Sequence, residues 1–365
     1  MIFSTMTPNK TLIVVGGGTG GHVFPLLNLI HYLQKNIPSE KSIFSEQAFR
    51  WIGEKDSIES RLAETNNIPF SPIICGKLRR YFSWKTILVP FQIMIGILQS
   101  LIIIVDEKPR AIFSKGGYVS LPVAVAGWML RVPVYLHESD SVPGLANRLV
   151  ARFARGIFCT FREAETFFEG KKICGYGPLL SEDIGIITQQ PAPLSPRTQL
   201  LVNCGSQGSS TIFDILLKML EKDNSPSRDF DIHLVLGTKN PQYREKFASF
   251  PNVTIYDFFY DQKEYFQLVY TCDIVLTRSG SSVFEFEALG LHMILVPHPH
   301  TGNNHQYYNA KIFEKKGHEC ILQENLEKEL SGVLSQYTSY HKPALIPPVD
   351  QTIYTTIERY LSENR

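Results

Sequence analysis

The chain has 365 residues, 44% of them hydrophobic and 19% charged, with a formal net charge of +1. That is the composition of a soluble globular protein long enough for two domains. Its near-neutral balance provides no general field for nucleic acid, so any polyanion site must be local.

The opening residues, MIFSTMTPNK, lack the apolar core of a secretory signal. The six cysteines, Cys75, Cys159, Cys174, Cys204, Cys272 and Cys320, include no C-x-x-C pair. A disulfide framework and structural zinc are not expected, and a reducing compartment is. The apolar run at 11–15 predicts a strand. It feeds GGGTGGH at 16–22, with five glycines, and then Val23, Leu26, Leu27, Ile30 and Leu33 fall on one helical face. Pro25 is expected in the first turn of that helix, where no amide donor is needed. Further strands are predicted at 50–53, 111–114, 133–137, 156–160 and 172–174.

Residues 86–105, TILVPFQIMIGILQSLIIIV, carry no charge over 20 positions. That length could span a bilayer, although Pro90, Gln92, Gln99 and Ser100 interrupt it. A buried helix fits too, as does a helix packed inward on one face and touching lipid on the other. The preceding GKLRRYFSWK (76–85) interleaves Lys77, Arg79, Arg80 and Lys85 with Leu78, Tyr81, Phe82 and Trp84. That pattern suits an anionic membrane surface.

TQQPAPLSPRTQ (188–199) reads as an extended linker. Strands follow near 200–204, 231–237, 253–257, 273–277 and 293–297. A helix from about 211 carries Ile212, Ile215, Leu216, Met219 and Leu220 on one face. Ile353, Ile357 and Leu361 mark a closing helix. The predicted organisation is an N-terminal domain 1–187, linker 188–199, C-terminal domain 200–349, and a helix 350–365 returning to the first domain. The fold class is α/β: two Rossmann-like domains whose parallel sheets face a cleft.

Four loops after strands carry glycine: 16–22, SKGGYVSLP (114–122), CGSQGSS (204–210) and TRSGSS (277–282). Glycine lets a ligand approach the backbone, and loop amides at a helix start favour an anion, so phosphate is the expected ligand. Gly16, Gly18 and Gly21 satisfy G-x-G-x-x-G. An NAD-dependent oxidoreductase is therefore an alternative, but Glu40, Glu46 and Glu54 are poorly placed for its ribose acid. Walker A is excluded because His22 stands where lysine would follow the last glycine.

At a helix start His22 is biased towards neutrality, so it could take a proton or donate to phosphate; simple capping is the other reading. Ser282-x-x-Glu285 is either a capping box or a carboxylate for ribose hydroxyls, and both readings stand. His298, His300 and His305, in PHPHTGNNHQYYNA (297–310), lack metal-ligand spacing, and an amide-rich loop suits sugar hydroxyls better.

GGTGGHVFP, GGYVSLP, HESDSVPGLANR (137–148), GSQGSS, RSGSSVFEFEALG (278–290) and NHQYYNA (304–310) occur in order. Together they resemble the MurG family of UDP-N-acetylglucosamine transferases. The resemblance implies a GT-B fold with no cofactor and no metal. It implies inverting transfer of GlcNAc from UDP-GlcNAc to the C4 hydroxyl of undecaprenyl-pyrophosphoryl-MurNAc-pentapeptide. That step turns lipid I into lipid II for peptidoglycan, by a peripheral protein at the cytoplasmic face of the bacterial plasma membrane.

By the same resemblance, Thr19, Gly20 and Gly21 lie near the acceptor pyrophosphate and donor sugar, and Tyr118 and Ser120 in the second acceptor loop. Ser206 and Gln207 lie in the donor-side loop. Ser281, Ser282, Val283, Phe284 and Glu285 match the diphosphate and ribose segment, Gln306 the GlcNAc hydroxyls, and Phe259 the uracil clasp. Asp140 and Asn147 are further substrate contacts. His22 is the first choice of base, with Glu138 and Asp140 as rivals.

Three features depart from the family pattern. His-Glu-Ser-Asp at 137–140 replaces His-Glu-Gln-Asn, so Asp140 puts a carboxylate where an amide is common. CGYGPLLSED (174–183) lacks the arginine of Gly-Asn-Pro-Val-Arg. The 280–285 segment is one residue shorter than in some members. Asp229 and Asp231 precede a strand rather than follow one, which disfavours a metal-dependent GT-A transferase. A non-catalytic nucleotide-sugar binding protein is the remaining alternative.

Overall fold

The computed structural model describes residues 11–35, 49–76, 88–222 and 225–363. The basic, aromatic segment 77–85 lies outside the described residues. The chain divides into two units, 1–179 with 351–365, and 180–350.

The first unit alternates β1 (Leu12–Gly16), α1 (Gly20–Lys35), β2 (Phe49–Gly53), α2 (Ile58–Thr65), β3 (Phe70–Pro72), α3 (Val89–Glu107), β4 (Ala111–Gly116), α4 (Ser120–Met129), β5 (Val134–Glu138), α5 (Leu145–Phe153), β6 (Gly156–Cys159) and β7 (Ile173–Tyr176). Among the described residues the strands form one parallel sheet in the order β3-β2-β1-β4-β5-β6-β7. Side chains alternate across it. Leu12, Val14, Trp51, Phe113 and Phe158 face one core with Leu26, Ile30 and Leu33 of α1. Ile13, Val15, Ile52, Ile112 and Leu136 face the other with Val123 and Ala124 of α4. Both faces are covered, as a parallel sheet requires.

The second unit comprises α6 (Glu182–Ile187), β8 (Gln199–Asn203), α7 (Ser210–Leu220), β9 (Asp231–Val235), α8 (Tyr243–Phe247), β10 (Val253–Tyr256), α9 (Gln262–Thr271), β11 (Ile274–Thr277), α10 (Val283–Ala288), β12 (His292–Leu295), α11 (His305–Glu314), β13 (Glu319–Cys320) and α12 (Leu326–Ser335). Its parallel sheet runs β10-β9-β8-β11-β12-β13. The last helix, α13 (Thr352–Glu363), belongs to the first unit. Ile353, Ile357 and Leu361 enter the α1 side of its core. Tyr354 stacks on Tyr32 at 4.6 Å, and Arg110 Nε donates to the Leu361 carbonyl at 2.8 Å.

Three expectations differ in detail. The unit boundary falls at 179/180 rather than 187/188, because α6 packs against α9. Residues 188–190 continue the end of α6 as a turn, and 191–198 run without regular structure but not as a free tether. Tyr270 Oη donates to the Gln190 carbonyl at 2.5 Å, and Thr198 is buried and donates to the Tyr340 carbonyl at 2.9 Å. Proline-rich composition prescribes extension, and packing decided where the segment lies. Pro25 sits in the second turn of α1 rather than the first, because the helix already begins at Gly20; the Gly21 carbonyl therefore lacks its usual donor four residues on.

Helix α3, apolar apart from Gln92, Gln99, Ser100 and the terminal Asp106 and Glu107, is buried on one face only. Val89, Gly96, Ser100 and Ile104 are buried, and Gly96 lies where a Cβ would touch Pro122 of α4 at 3.2 Å. Phe91, Met94, Ile95, Leu98, Ile102 and Val105 are exposed, Ile102 by 71%. The helix is long and apolar enough to cross a membrane by length and composition.

Candidate functional site

In each sheet the strand order reverses at one point, and open parallel sheets bind ligands at the carboxyl ends of the strands there. In the first unit that point lies between β1 and β4, where Gly16 pairs with Gly116. In the second it lies between β8 and β11, where Asn203 pairs with Thr277. The four glycine-bearing loops are the segments that follow these four strands. Tertiary structure thus sorts them into two adjacent pairs.

In the first pair, Gly117 has φ +84°, and a Cβ on it would lie 2.7 Å from the Gly17 carbonyl. The Tyr118 ring lies against Gly18, where a Cβ would be 2.9 Å away. Tyr118 Oη donates to the Glu54 carboxylate. Burial and that carboxylate hold the phenol well above its ordinary range. Glu59, fully buried on α2, accepts from the amides of Gly18 at 3.4 Å and Glu54 at 3.2 Å. Tyr118 and Glu59 therefore brace the two loops against each other. Sequence reasoning passed over Glu59, because an acid in a short helix looks like surface.

Thr19 is exposed, while Gly20, Gly21 and His22 are half-buried. His22 Nδ1 shares a hydrogen bond with Thr19 Oγ1 at 3.0 Å, which ties the imidazole to the glycine loop. Ser120 is fully buried, and its hydroxyl donates to the Gly116 carbonyl at 2.7 Å. Its side chain holds the loop, because the first turn of α4 consumes its donor.

Glu138 ends β5 and is buried. Its carboxylate accepts from Asn147 Nδ2 at 2.7 Å and from the Asp140 amide at 2.8 Å. Burial and the neighbouring Asp140 push its carboxyl up to about 7. Asn147 is also buried, beneath Gly116, whose φ of +96° and lack of a side chain make room for it. Asn147 therefore fixes Glu138 rather than reaching solvent itself, while Asp140 is half-buried. Next to Glu138, His137 Nε2 donates to the Gly177 carbonyl at 3.0 Å, and burial holds the ring well below its ordinary range. Lys115, which sequence reasoning also passed over, is buried and donates to Ser139 Oγ.

In the second pair, the Gly205 amide donates to Asn203 Oδ1 at 3.0 Å, and Asn203 Nδ2 donates to Tyr265 Oη at 2.6 Å. Gly208 and Gly237, at φ +72° and +75°, cross so closely that a Cβ on Gly237 would lie 2.5 Å from the Gly208 nitrogen. The Ser206 carbonyl accepts from the Thr238 amide at 2.9 Å, and Gln207 Oε1 accepts from Lys239 Nζ at 2.7 Å. Arg278, buried and unremarked in the sequence, donates to the Val296 carbonyl at 3.0 Å, Ser209 Oγ at 2.8 Å and Gln323 Oε1 at 2.6 Å. It ties this pair of loops together with a positive charge behind them.

The amides of Ser281 and Ser282 have no partner among the described residues. Ser282 makes no side-chain cap, so the capping-box reading of Ser282 and Glu285 is not realised. Glu285 is half-buried and its carboxylate accepts no hydrogen bond among the described residues; burial pushes its carboxyl up to about 8. Val283 is buried, and Phe284 meets Phe313 edge-on at 5.4 Å, so both side chains serve packing. Gln306 Oε1 accepts from the His298 amide at 2.9 Å, leaving its Nε2 without a partner among the described residues. The half-buried Phe259 packs on Tyr256 at 5.3 Å and Tyr265 at 5.7 Å. Among the described residues no three His, Cys, Asp or Glu side chains are grouped to hold a metal ion.

Unpartnered loop amides over a buried arginine suit an anion. An unpaired, desolvated carboxylate suits hydroxyl donors, and an unused amide suits an acceptor on a sugar or its substituent.

The profile of the glycosyltransferase family 28 N-terminal domain matches residues 12–159, and that of the family's C-terminal domain matches 199–343. A UDP-N-acetylglucosamine--N-acetylmuramyl-(pentapeptide) pyrophosphoryl-undecaprenol N-acetylglucosamine transferase of Bacillus cereus is 33% identical over 97% of this chain and 99% of its own. A transferase of the same name from Legionella pneumophila is 34% identical over 88% of this chain and 86% of its own. Among solved structures, MurG of Acinetobacter baumannii matches with a TM-score of 0.64 at 21% identity, over 89% of this chain and 90% of that one. A putative UDP-N-acetylglucosamine 2-epimerase of Listeria monocytogenes matches with a TM-score of 0.67 at 14% identity, over 98% of each chain.

Proposed function

This chain belongs to the MurG family within glycosyltransferase family 28, and on that premise we propose that it transfers GlcNAc from UDP-GlcNAc to the C4 hydroxyl of lipid I, giving lipid II for peptidoglycan. The observation that carries the reading is the loop pair at the switch point of each sheet, one suited to the acceptor and one to the nucleotide sugar.

The transfer is a single displacement with inversion. The acceptor oxygen forms a bond to the anomeric carbon as the bond to the diphosphate breaks. UDP leaves with the electron pair, and the hydroxyl proton passes to His22. Base catalysis of this kind contributes about 10²–10⁴-fold. Glu138, fixed by Asn147, and Asp140 orient the acceptor sugar. Thr19, Gly20, Gly21 and the second loop receive the acceptor pyrophosphate.

On the donor side, the amides of Ser281 and Ser282, with Ser206 and Gln207, hold the departing diphosphate. A preorganised donor in such a site contributes about 3–4 kcal/mol. Arg278 adds charge behind the same loops. Glu285 accepts the ribose hydroxyls, Gln306 reads the GlcNAc, and the backbone at Phe259 clasps uracil. No metal ion is required, because main-chain donors and Arg278 take up the charge of the leaving group.

The exposed apolar face of α3, with segment 77–85, rests on the anionic cytoplasmic face of the plasma membrane, where the lipid acceptor resides. Labelled UDP-GlcNAc and lipid I, with and without a chelator, test the reading. Labelled lipid II in both samples is the expected result. Product lost on chelation overturns the metal-free route, and no product in either sample overturns the transferase.

A further inference from the structure

Glu59 stands in the first turn of α2 and is fully buried. The helix start does not need it as a cap, because Ser57 and Ser60 already bond each other there as a capping box. Its carboxylate accepts two main-chain bonds, from the Gly18 amide at 3.4 Å and the Glu54 amide at 3.2 Å, and it pairs with no cation among the described residues. Enclosing an acid on two amides alone is costly, yet the surroundings are shaped to admit it. A Cβ on Gly17 would strike the carboxylate, and its three nearest atoms would all belong to Glu59. Gly17 does not have the left-handed backbone that would otherwise call for glycine. On the other side, a Cβ on Gly53 would lie 2.7 Å from Glu59 Cγ.

The two amides lead to both loops of the first pair. Gly18 adjoins Thr19, whose hydroxyl shares a hydrogen bond with His22 Nδ1 at 3.0 Å. The Glu54 carboxylate accepts from Tyr118 Oη, and the Tyr118 ring lies against Gly18. One carboxylate thus fixes, from behind, the backbone that carries Thr19 and His22. A reacting group is held in place by just such supporting bonds beneath it.

We propose that Glu59 is a positioning residue for transfer: its buried carboxylate, seated in the space left by Gly17 and Gly53, fixes the Gly18 amide and so sets Thr19 and His22 for proton transfer. The assignment rests on the reading of His22 as the base. Glu59 acts through the loop and touches no substrate.

The experiment measures kcat and KM for the lipid acceptor in the full-length protein, with UDP affinity and melting temperature as controls. E59A should lower kcat by about ten- to a hundred-fold, the loss expected on removing a hydrogen bond to a charged group. Acceptor KM and UDP affinity should stay within about twofold of wild type. E59Q, which keeps the shape and one accepting oxygen, should recover part of the loss. Because Glu59 works through His22, E59A/H22A should turn over no more than about twofold more slowly than H22A. G17A should mimic E59A by displacing the carboxylate, and should add nothing to E59A, where the new methyl group finds room.

An E59A kcat equal to wild type overturns the proposal. So do losses in E59A and H22A that multiply in the double variant, or a fall in UDP affinity as large as the fall in kcat, since either would make Glu59 a support of the fold alone. Should E59A not fold, E59Q decides, and an unchanged kcat there overturns the assignment. An H22A variant with undiminished kcat would instead remove the reading of His22 as the base, which separates the two failures.

Discussion

Asn147 Nδ2 donates to Glu138 Oε2 at 2.7 Å, with both side chains buried. One donor on α5 thereby sets the direction of a carboxylate at the end of β5. Asn147→Ala should lower kcat/KM for the acceptor by roughly ten- to a hundred-fold, since a hydrogen bond to a charged group is worth about 1.5–3 kcal/mol. UDP affinity, measured by titration calorimetry, should be unchanged. Equal losses for both ligands would mean that Asn147 only supports the fold.

His22 hydrogen-bonds Thr19 at 3.0 Å within the first glycine loop. His22→Ala should reduce kcat by about 10²-fold or more with little change in acceptor KM. Steady-state kinetics against acceptor concentration read this directly. A raised KM at constant kcat would make the imidazole a phosphate ligand and not the base.

Glu285 carries a carboxyl raised to about 8 from an ordinary 4.5. Near pH 7 the folded protein therefore binds more protons at this position than the unfolded chain does. Stability contributed here is largest below the unfolded value and is lost as pH rises from about 4.5 towards 8. Glu285→Gln should raise the melting temperature at pH 8 by a few degrees, about 2–4 °C per kcal/mol for a unit of this size, and leave it nearly unchanged at pH 4. The same variant should weaken UDP binding. Ribose hydroxyls donating to the carboxylate favour its ionised form, so UDP binding at pH 7 should release protons in the wild type and fewer in the variant. Calorimetry in buffers of different ionisation enthalpy measures that difference.

Phe91, Leu98 and Ile102 project from the exposed face of α3. Replacing all three by serine should cut recovery on anionic vesicles by more than about tenfold, since each side chain is worth up to about 1.5–3 kcal/mol when fully buried. Turnover on a short-chain, detergent-soluble acceptor should persist. Undiminished vesicle binding would move membrane contact elsewhere on the chain.

Strands were legible wherever an apolar run preceded a glycine turn: β1, β4, β8 and β11 all lie within a residue or two of the predicted positions. β3 (Phe70–Pro72) and β13 (Glu319–Cys320) were not. They are short edge strands, half-buried or exposed, so they carry little hydrophobic pattern. The site was legible as loops and less so as side chains. The side chains of Ser120 and Val283 serve local bonding and packing, which the residue pattern does not reveal. Glu59, Lys115 and Arg278 carry charges that sequence reasoning assigns to solvent, yet all three are buried beneath the loops.

The sequence by itself determined where the central strands of each sheet fall, where glycine permits backbone to meet a ligand, and that the plan repeats in two halves. These follow from local steric freedom and from the period of apolar residues, which neighbours in the chain decide. Only the tertiary structure decided that the first loop lies beside the second and the third beside the fourth. It also decided that Lys115 is buried against Ser139, and that the Glu285 carboxylate has no hydrogen-bond partner among the described residues. Those relations depend on strand order in a parallel sheet, which joins residues far apart in the chain. They depend too on burial, which forces each enclosed charge either to find a partner or to give up ionisation.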